Sequence, residues 1–178
     1  MDGAADLDVY TSLLGLEEFE VVEVSADAKQ KVRRLTIVPR MGVGLCPHCG
    51  SPCEQRHECF DRTVLDLPMG QSSTELIVRL SQFHCGGCDR FFTPHYRAIA
   101  EGMHATERLL DRMEQMIRFS DVANTARFFA VAEKTLERWY YEYLERKQNS
   151  PSRELQAVRS LGIDELSLKK STGNSAPC

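Results

Sequence analysis

Two CxxC pairs, Cys46-Pro47-His48-Cys49 and Cys85-Gly86-Gly87-Cys88, constrain this chain more than any other stretch. A CxxC turn lets two thiolates converge on one ion while backbone amides satisfy the sulfurs, and two such turns supply the four ligands of a tetrahedral zinc site. The 35 residues between Cys49 and Cys85 exceed the roughly 15–20 of a compact four-cysteine site. They hold two strand-like runs, TVLDL (63–67) and TELIVRL (74–80), so the insert is expected to fold back as a hairpin and join the turns. Cys46, Cys49, Cys85 and Cys88 are the expected ligands of a structural Zn2+, since four protein ligands leave no position open for water.

Other readings of the cysteines remain open at this level. Reduced thiols are common core residues. Cys53 could displace one ligand, and Cys59, His48, His57 and His84 lie close by in sequence. A redox CxxC fits poorly, because neither pair sits between a strand and a long helix. The chain has 178 residues and seven cysteines, with no basic and apolar leader in MDGAADLDVY and no apolar run long enough to span a bilayer. A cytoplasmic setting with reduced thiols is expected, without membrane contact. The formal net charge is −4, and no segment is strongly basic, so any nucleic-acid contact must come from local geometry.

Along the chain, residues 8–14 read as a short helix with Asp8 as N-cap and Gly15 as stop. FEVVEVS (19–25) and KVRRLTIV (31–38) read as an antiparallel hairpin, because both are rich in β-branched residues and joined by a short polar segment. After Pro94 the period changes. Leu109, Leu110, Met113, Met116 and Ile117 share one face of a helix over about 106–118. Ser120 is the expected N-cap of a second helix bearing Val122, Ala123, Ala126 and Phe129, and a connection from Ala130 to Glu133 leads to a third. Pro151 is expected to end the helices, followed by a linker and a strand near residues 161–166.

The third helix carries Leu136, Trp139, Tyr140, Tyr143 and Leu144 on its apolar stripe. Lys134, Arg138 and Tyr141 fall on the opposite side with Thr135 at its edge, an arrangement that could enter a major groove. Arg138 is the best-placed guanine reader, since a guanidinium can donate to O6 and N7 together. Arg127 and Arg146 are candidate clamps on the phosphate backbone. Glu133, Glu137 and Glu145 on or near this helix oppose the idea, because carboxylates repel phosphate.

CPHCG (46–50) with CGGC (85–88), AVAEKTLERW (130–139) and LGIDELSLKK (161–170) follow one another in an order that resembles the N-terminal half of bacterial insertion-sequence transposases. Members of that family carry a zinc-binding domain, a helix-turn-helix and then an RNase H-like catalytic domain with an Asp-Asp-Glu triad. The resemblance spans about residues 10–170 and implies an α+β chain. Its expected parts are an N-terminal helix and hairpin (1–45), a small antiparallel zinc-bound β-domain (46–100), a three-helix DNA-binding domain (101–150) and a linker with a truncated RNase H-like stub (151–178). It also implies that Asp164 is the first triad carboxylate. Two divalent metals need carboxylates converging from separate strands, so one carboxylate builds no such site, and Mg2+ belongs only to a full-length catalytic relative.

The resulting expectation is a catalytically incomplete transposase fragment that recognises transposon-end double-stranded DNA, with a second copy or a full-length transposase as further partners. Two competing classes are a zinc-ribbon adaptor that binds protein alone, which the acidic balance would suit, and a small transcriptional regulator.

Overall fold

A computed structural model describes residues 3–149. The first helix, α1 (Gly3–Leu14), stops where Gly15 turns left-handed at φ +63° and donates its N–H to Thr11 O at 3.1 Å. Asp8 lies inside this helix and not at its start. The next two strands, β1 (Phe19–Asp27) and β2 (Val32–Pro39), form the expected antiparallel hairpin.

Two short strands, β3 (Gly44–Leu45) and β4 (Pro52–Cys53), pair with each other as a separate ribbon. Beyond them, β5 (Arg56–Met69) and β6 (Ser72–Cys85) run 14 residues each, far longer than the short runs expected around Pro68. Pro68 sits where the register slips between Asp66 and Met69, so its missing N–H removes no ladder bond, and Gly70 closes the turn at φ +68°. A last strand, β7 (Arg90–Phe92), pairs back onto the end of β6.

The main sheet has the order β1-β2-β6-β5. Its β2/β6 pair is parallel, whereas the strand pairs within the expected β-domain (46–100) are antiparallel. The cause is topological: β5 starts at the end of the sheet where β2 finishes and runs back, so its hairpin partner β6 runs the same way as β2. This pairing also carries the sheet across residue 45, joining the N-terminal hairpin to the zinc-bound strands. Phe19, Leu35, Ile37, Leu76 and Val78 fill the core beneath it.

Three helices follow: α2 (Glu107–Phe119), α3 (Val122–Phe129) and α4 (Glu133–Asn149). Thr106 caps α2 through Leu109 N, and Asp121 caps α3 through Asn124 N at 2.7 Å. Asp121 takes the role expected of Ser120 because Ser120 still belongs to the end of α2. Between α3 and α4 the chain turns at Ala130, left-handed at φ +55°, while Val131 N reaches back to Ala126 O at 3.0 Å. Leu110, Met113, Phe129, Leu136 and Trp139 form the shared core of this bundle.

A buried latch ties the helices to the sheet. The Asp66 carboxylate of β5 is fully buried, accepts from Thr106 Oγ1 at 2.7 Å and from Arg108 Nε at 2.8 Å, and is also held by Arg108 Nη2. Arg108 Nη1 donates to Leu14 O at the end of α1. Beside it, Leu65 exchanges backbone bonds with His104 and Thr106, each at 2.9 Å.

Candidate metal centre and nucleic-acid face

The two CxxC turns are built alike. In the first, Gly50 N donates to Cys46 O at 2.9 Å, Cys46 N donates to Ser51 O at 2.9 Å, and Gly50 takes φ +72° to leave the turn. In the second, Asp89 N donates to Cys85 O at 2.8 Å and Asp89 makes the left-handed exit at φ +54°, a conformation aspartate tolerates better than most side chains. The β3/β4 ribbon holds one turn and the β6/β7 pair the other. Gly44 sits tightly at their junction: a Cβ there would stand 3.1 Å from the rings of both Phe83 and Phe92 and would press them apart by a few tenths of an ångström.

The four expected thiols, Cys46, Cys49, Cys85 and Cys88, all lie within 4.8 Å of one another. Cys46 Sγ is 3.6 Å from Cys88 Sγ, and Cys49 Sγ is 3.5 Å from Cys85 Sγ. A tetrahedron with zinc–sulfur bonds of about 2.3 Å has edges of about 3.8 Å, so the sulfurs already stand near the spacing zinc demands. Cys85 is fully buried and Cys46 nearly so, whereas Cys49 is exposed, which puts the centre at the surface with its back against Phe83 and Phe92. Four thiolates would complete the coordination shell, so a metal here would brace the two turns and hold no reacting water.

The thiols do not share one proton affinity. The backbone N–H of Cys88 pulls Cys85 down to about 6 despite its burial. Burial, reinforced by the neighbouring thiols, pushes Cys88 up to about 12. The Ser51 hydroxyl lowers Cys49. Cys53 stands outside the cluster: its thiol faces Ser51 O at 3.5 Å, and burial raises it to about 11. Cys59 is exposed beside Ser81 on the β5/β6 arm.

Residues 42–88 match the family described as the zinc-finger of transposase IS204/IS1001/IS1096/IS1165. That segment contains all four clustered cysteines. Over that segment the chain is similar to the zinc ribbon of insertion-sequence transposases. Beyond the ribbon, the chain is 28% identical over 166 residues to the transposase for insertion sequence element IS1001 of Bordetella parapertussis. The match covers 93% of this chain and 40% of that relative, so the chain spans well under half the relative's length. No solved structure matches the chain.

Behind this transposase-type ribbon, α4 buries Leu136, Trp139 and Tyr143 and leaves Lys134, Arg138 and Tyr141 exposed. Lys134 and Arg127 have no ion-pair partner among the described residues, and Arg138 is only loosely engaged with Glu142 at 3.8 Å. Thr135 is half-buried and lines a cleft with Trp139, so it stands at the margin of the exposed stripe. Arg146 is placed differently from the expectation of a backbone clamp. Its guanidinium donates to Glu107 at 2.8 Å and lies against Met103 and the Tyr143 ring, fastening α4 to α2. Asp164 and the stub expected over residues 151–178 lie outside the described residues. No helix among the described residues is long and apolar enough to cross a membrane.

Sequence reasoning missed the Asp66–Thr106–Arg108 latch. Its one sequence signal is an aspartate amid the apolar run Val64, Leu65, Leu67, where a charge needs a buried partner. The partner, 42 residues away, carries no such mark.

Proposed function

We propose that the chain binds double-stranded DNA at the ends of an insertion sequence, with the zinc ribbon bracing the sheet that carries the helices. The observation that carries this reading is the exposed stripe of α4. Lys134, Arg138 and Tyr141 project outward from a helix whose opposite face is locked into the bundle, directly after a tight left-handed turn at Ala130. A helix presented in this way can lie in a major groove, with Arg138 donating to a guanine and Lys134 and Arg127 meeting phosphates. Thr135 contributes at the groove margin. The ribbon's likeness to a transposase zinc-finger supports DNA as the partner.

Among the described residues, the cysteine cluster is the one group with metal-ligand spacing. We read Asp164 as the first carboxylate of a catalytic pair of Mg2+ ions that needs further carboxylates from other strands. DNA recognition is the activity we assign to residues 3–149.

The test is a salt titration of binding to a labelled duplex carrying the element's ends, followed by fluorescence anisotropy. Affinity should fall steeply with salt as counterions are released. Arg138→Ala should relax preference for the end sequence over a scrambled duplex by roughly 1–3 kcal/mol. Absence of binding at every ionic strength would replace this reading with a protein-binding adaptor.

A further inference from the structure

Neither the cysteine centre nor α4 accounts for the outward face of the second knuckle. Along β7, Phe92 points inward and stacks on Phe83 with ring centres 5.9 Å apart, while Phe91 points outward with half its surface (51%) exposed. The Phe91 ring is flanked by two imidazoles, His57 at 4.6 Å and His84 at 4.8 Å. Next to it, Arg90 Nη1 stands 3.3 Å from His48 Nδ1. Asp89, the acid beside Arg90 in sequence, is hydrogen-bonded to His84 at 2.8 Å.

Closing the ribbon requires Phe92 alone. An outward phenylalanine fixed between imidazoles is a different matter from an isolated surface aromatic such as Phe119, which is 92% exposed with no aromatic partner among the described residues. The rings packed against Phe91 narrow the orientations open to it, which lowers the side-chain freedom lost on binding. A phenyl ring carries no hydrogen-bonding group and cannot read base edges in a groove. It can offer a stacking surface to a base that has left the helix stack, and a guanidinium beside it suits the phosphate of that nucleotide.

We propose that this face binds DNA where a base is unpaired, with the base against Phe91 and Arg90 on the adjoining phosphate. The inference rests on the proposed DNA-binding function for its partner and adds to it a second contact surface on the ribbon.

The experiment uses the full zinc-loaded chain and two duplexes of the same end sequence, one fully paired and one with three unpaired nucleotides at its terminus. Anisotropy should show tighter binding to the frayed duplex. Phe91→Ala should weaken that complex roughly 5- to 150-fold, the range expected for loss of one base–aromatic stack. It should leave the paired duplex unaffected, while Phe91→Trp retains the preference and Phe119→Ala does not alter it. Zinc content and circular dichroism are measured alongside. If Phe91→Ala loses metal, Phe91→Leu keeps apolar volume without the aromatic face and carries the same expectation.

Equal binding of the two duplexes by the wild-type chain, or equal losses on both in the variant, overturns the proposal. Binding of the frayed duplex alone, abolished by Phe91→Ala, would sustain it while overturning the assignment to α4. A preference for the frayed duplex that survives Phe91→Ala unchanged, with paired-duplex binding still sensitive to Arg138→Ala, would do the reverse.

Discussion

Replacing Asp66 with alanine removes the acceptor at the centre of the latch between sheet and helices. Its side chain is fully buried, and it holds the Thr106 hydroxyl at 2.7 Å together with two nitrogens of Arg108. Breaking a buried ion pair by deleting one partner costs about 3–5 kcal/mol when the survivor stays dry. Arg108 is one-third exposed (33%) and keeps its bond to Leu14 O, so water recovers part of that cost. Thr106 continues to cap α2 through Leu109 N but loses its own acceptor, a further loss of about 1 kcal/mol. The net expectation is a destabilisation of about 3 kcal/mol, or a fall in Tm of roughly 6–12 °C for a chain of this size. Urea unfolding can be followed by far-ultraviolet circular dichroism, which sees both layers. Emission of Trp139, the sole tryptophan, sees the helices. The two signals should coincide in the wild type and separate in Asp66→Ala. A loss below about 1 kcal/mol with coincident transitions would refute the latch as the element that couples the layers. Asp66→Asn, which keeps an acceptor but drops the charge, should fall between the two.

Three further outcomes follow from the geometry. Cys85→Ser should release zinc, measured by elemental analysis, and loosen the ribbon while Trp139 emission stays native; retention of one equivalent would remove Cys85 from the ligand set. Tyr143, nearly buried and bonded to Asp111, is pushed up to about 12 by burial first and by that bond second. An unfolded tyrosine ionises near 10, so its contribution is intact below that pH and is lost as pH rises toward 12; Tyr143→Phe should flatten this alkaline decline in a stability–pH profile. In the duplex assay, Lys134→Ala should weaken all sequences alike and reduce the salt slope by about 1, and an unchanged slope would take Lys134 off the phosphate backbone.

The metal centre was the most legible part of the chain, because ligand spacing is a local property and four sulfurs have few other reasons to be paired so regularly. The β1/β2 hairpin and the three helices were equally readable from periodicity. What periodicity cannot express is pairing between distant strands. Leu35 opposite Leu76 looks like any other apolar contact until β6 is known to return beside β2. The side-chain placements that periodicity leaves open share that origin. Arg146 shows the same charge and helical position whether it meets phosphate or Glu107, and the choice depends on where α2 lies. Ser120 and Asp121 are both good caps, and only the extension of α2 by one residue decides between them.

The latch at Asp66 has a consequence for recognition on a larger scale. Because α1, β5 and α2 meet at this one point, the sheet that continues into the ribbon and the bundle that holds α4 are fastened together there. If the contacts proposed for the ribbon and for α4 both hold, that fastening would act as a gauge, letting the two engage one polymer together only where its matching features recur at their separation.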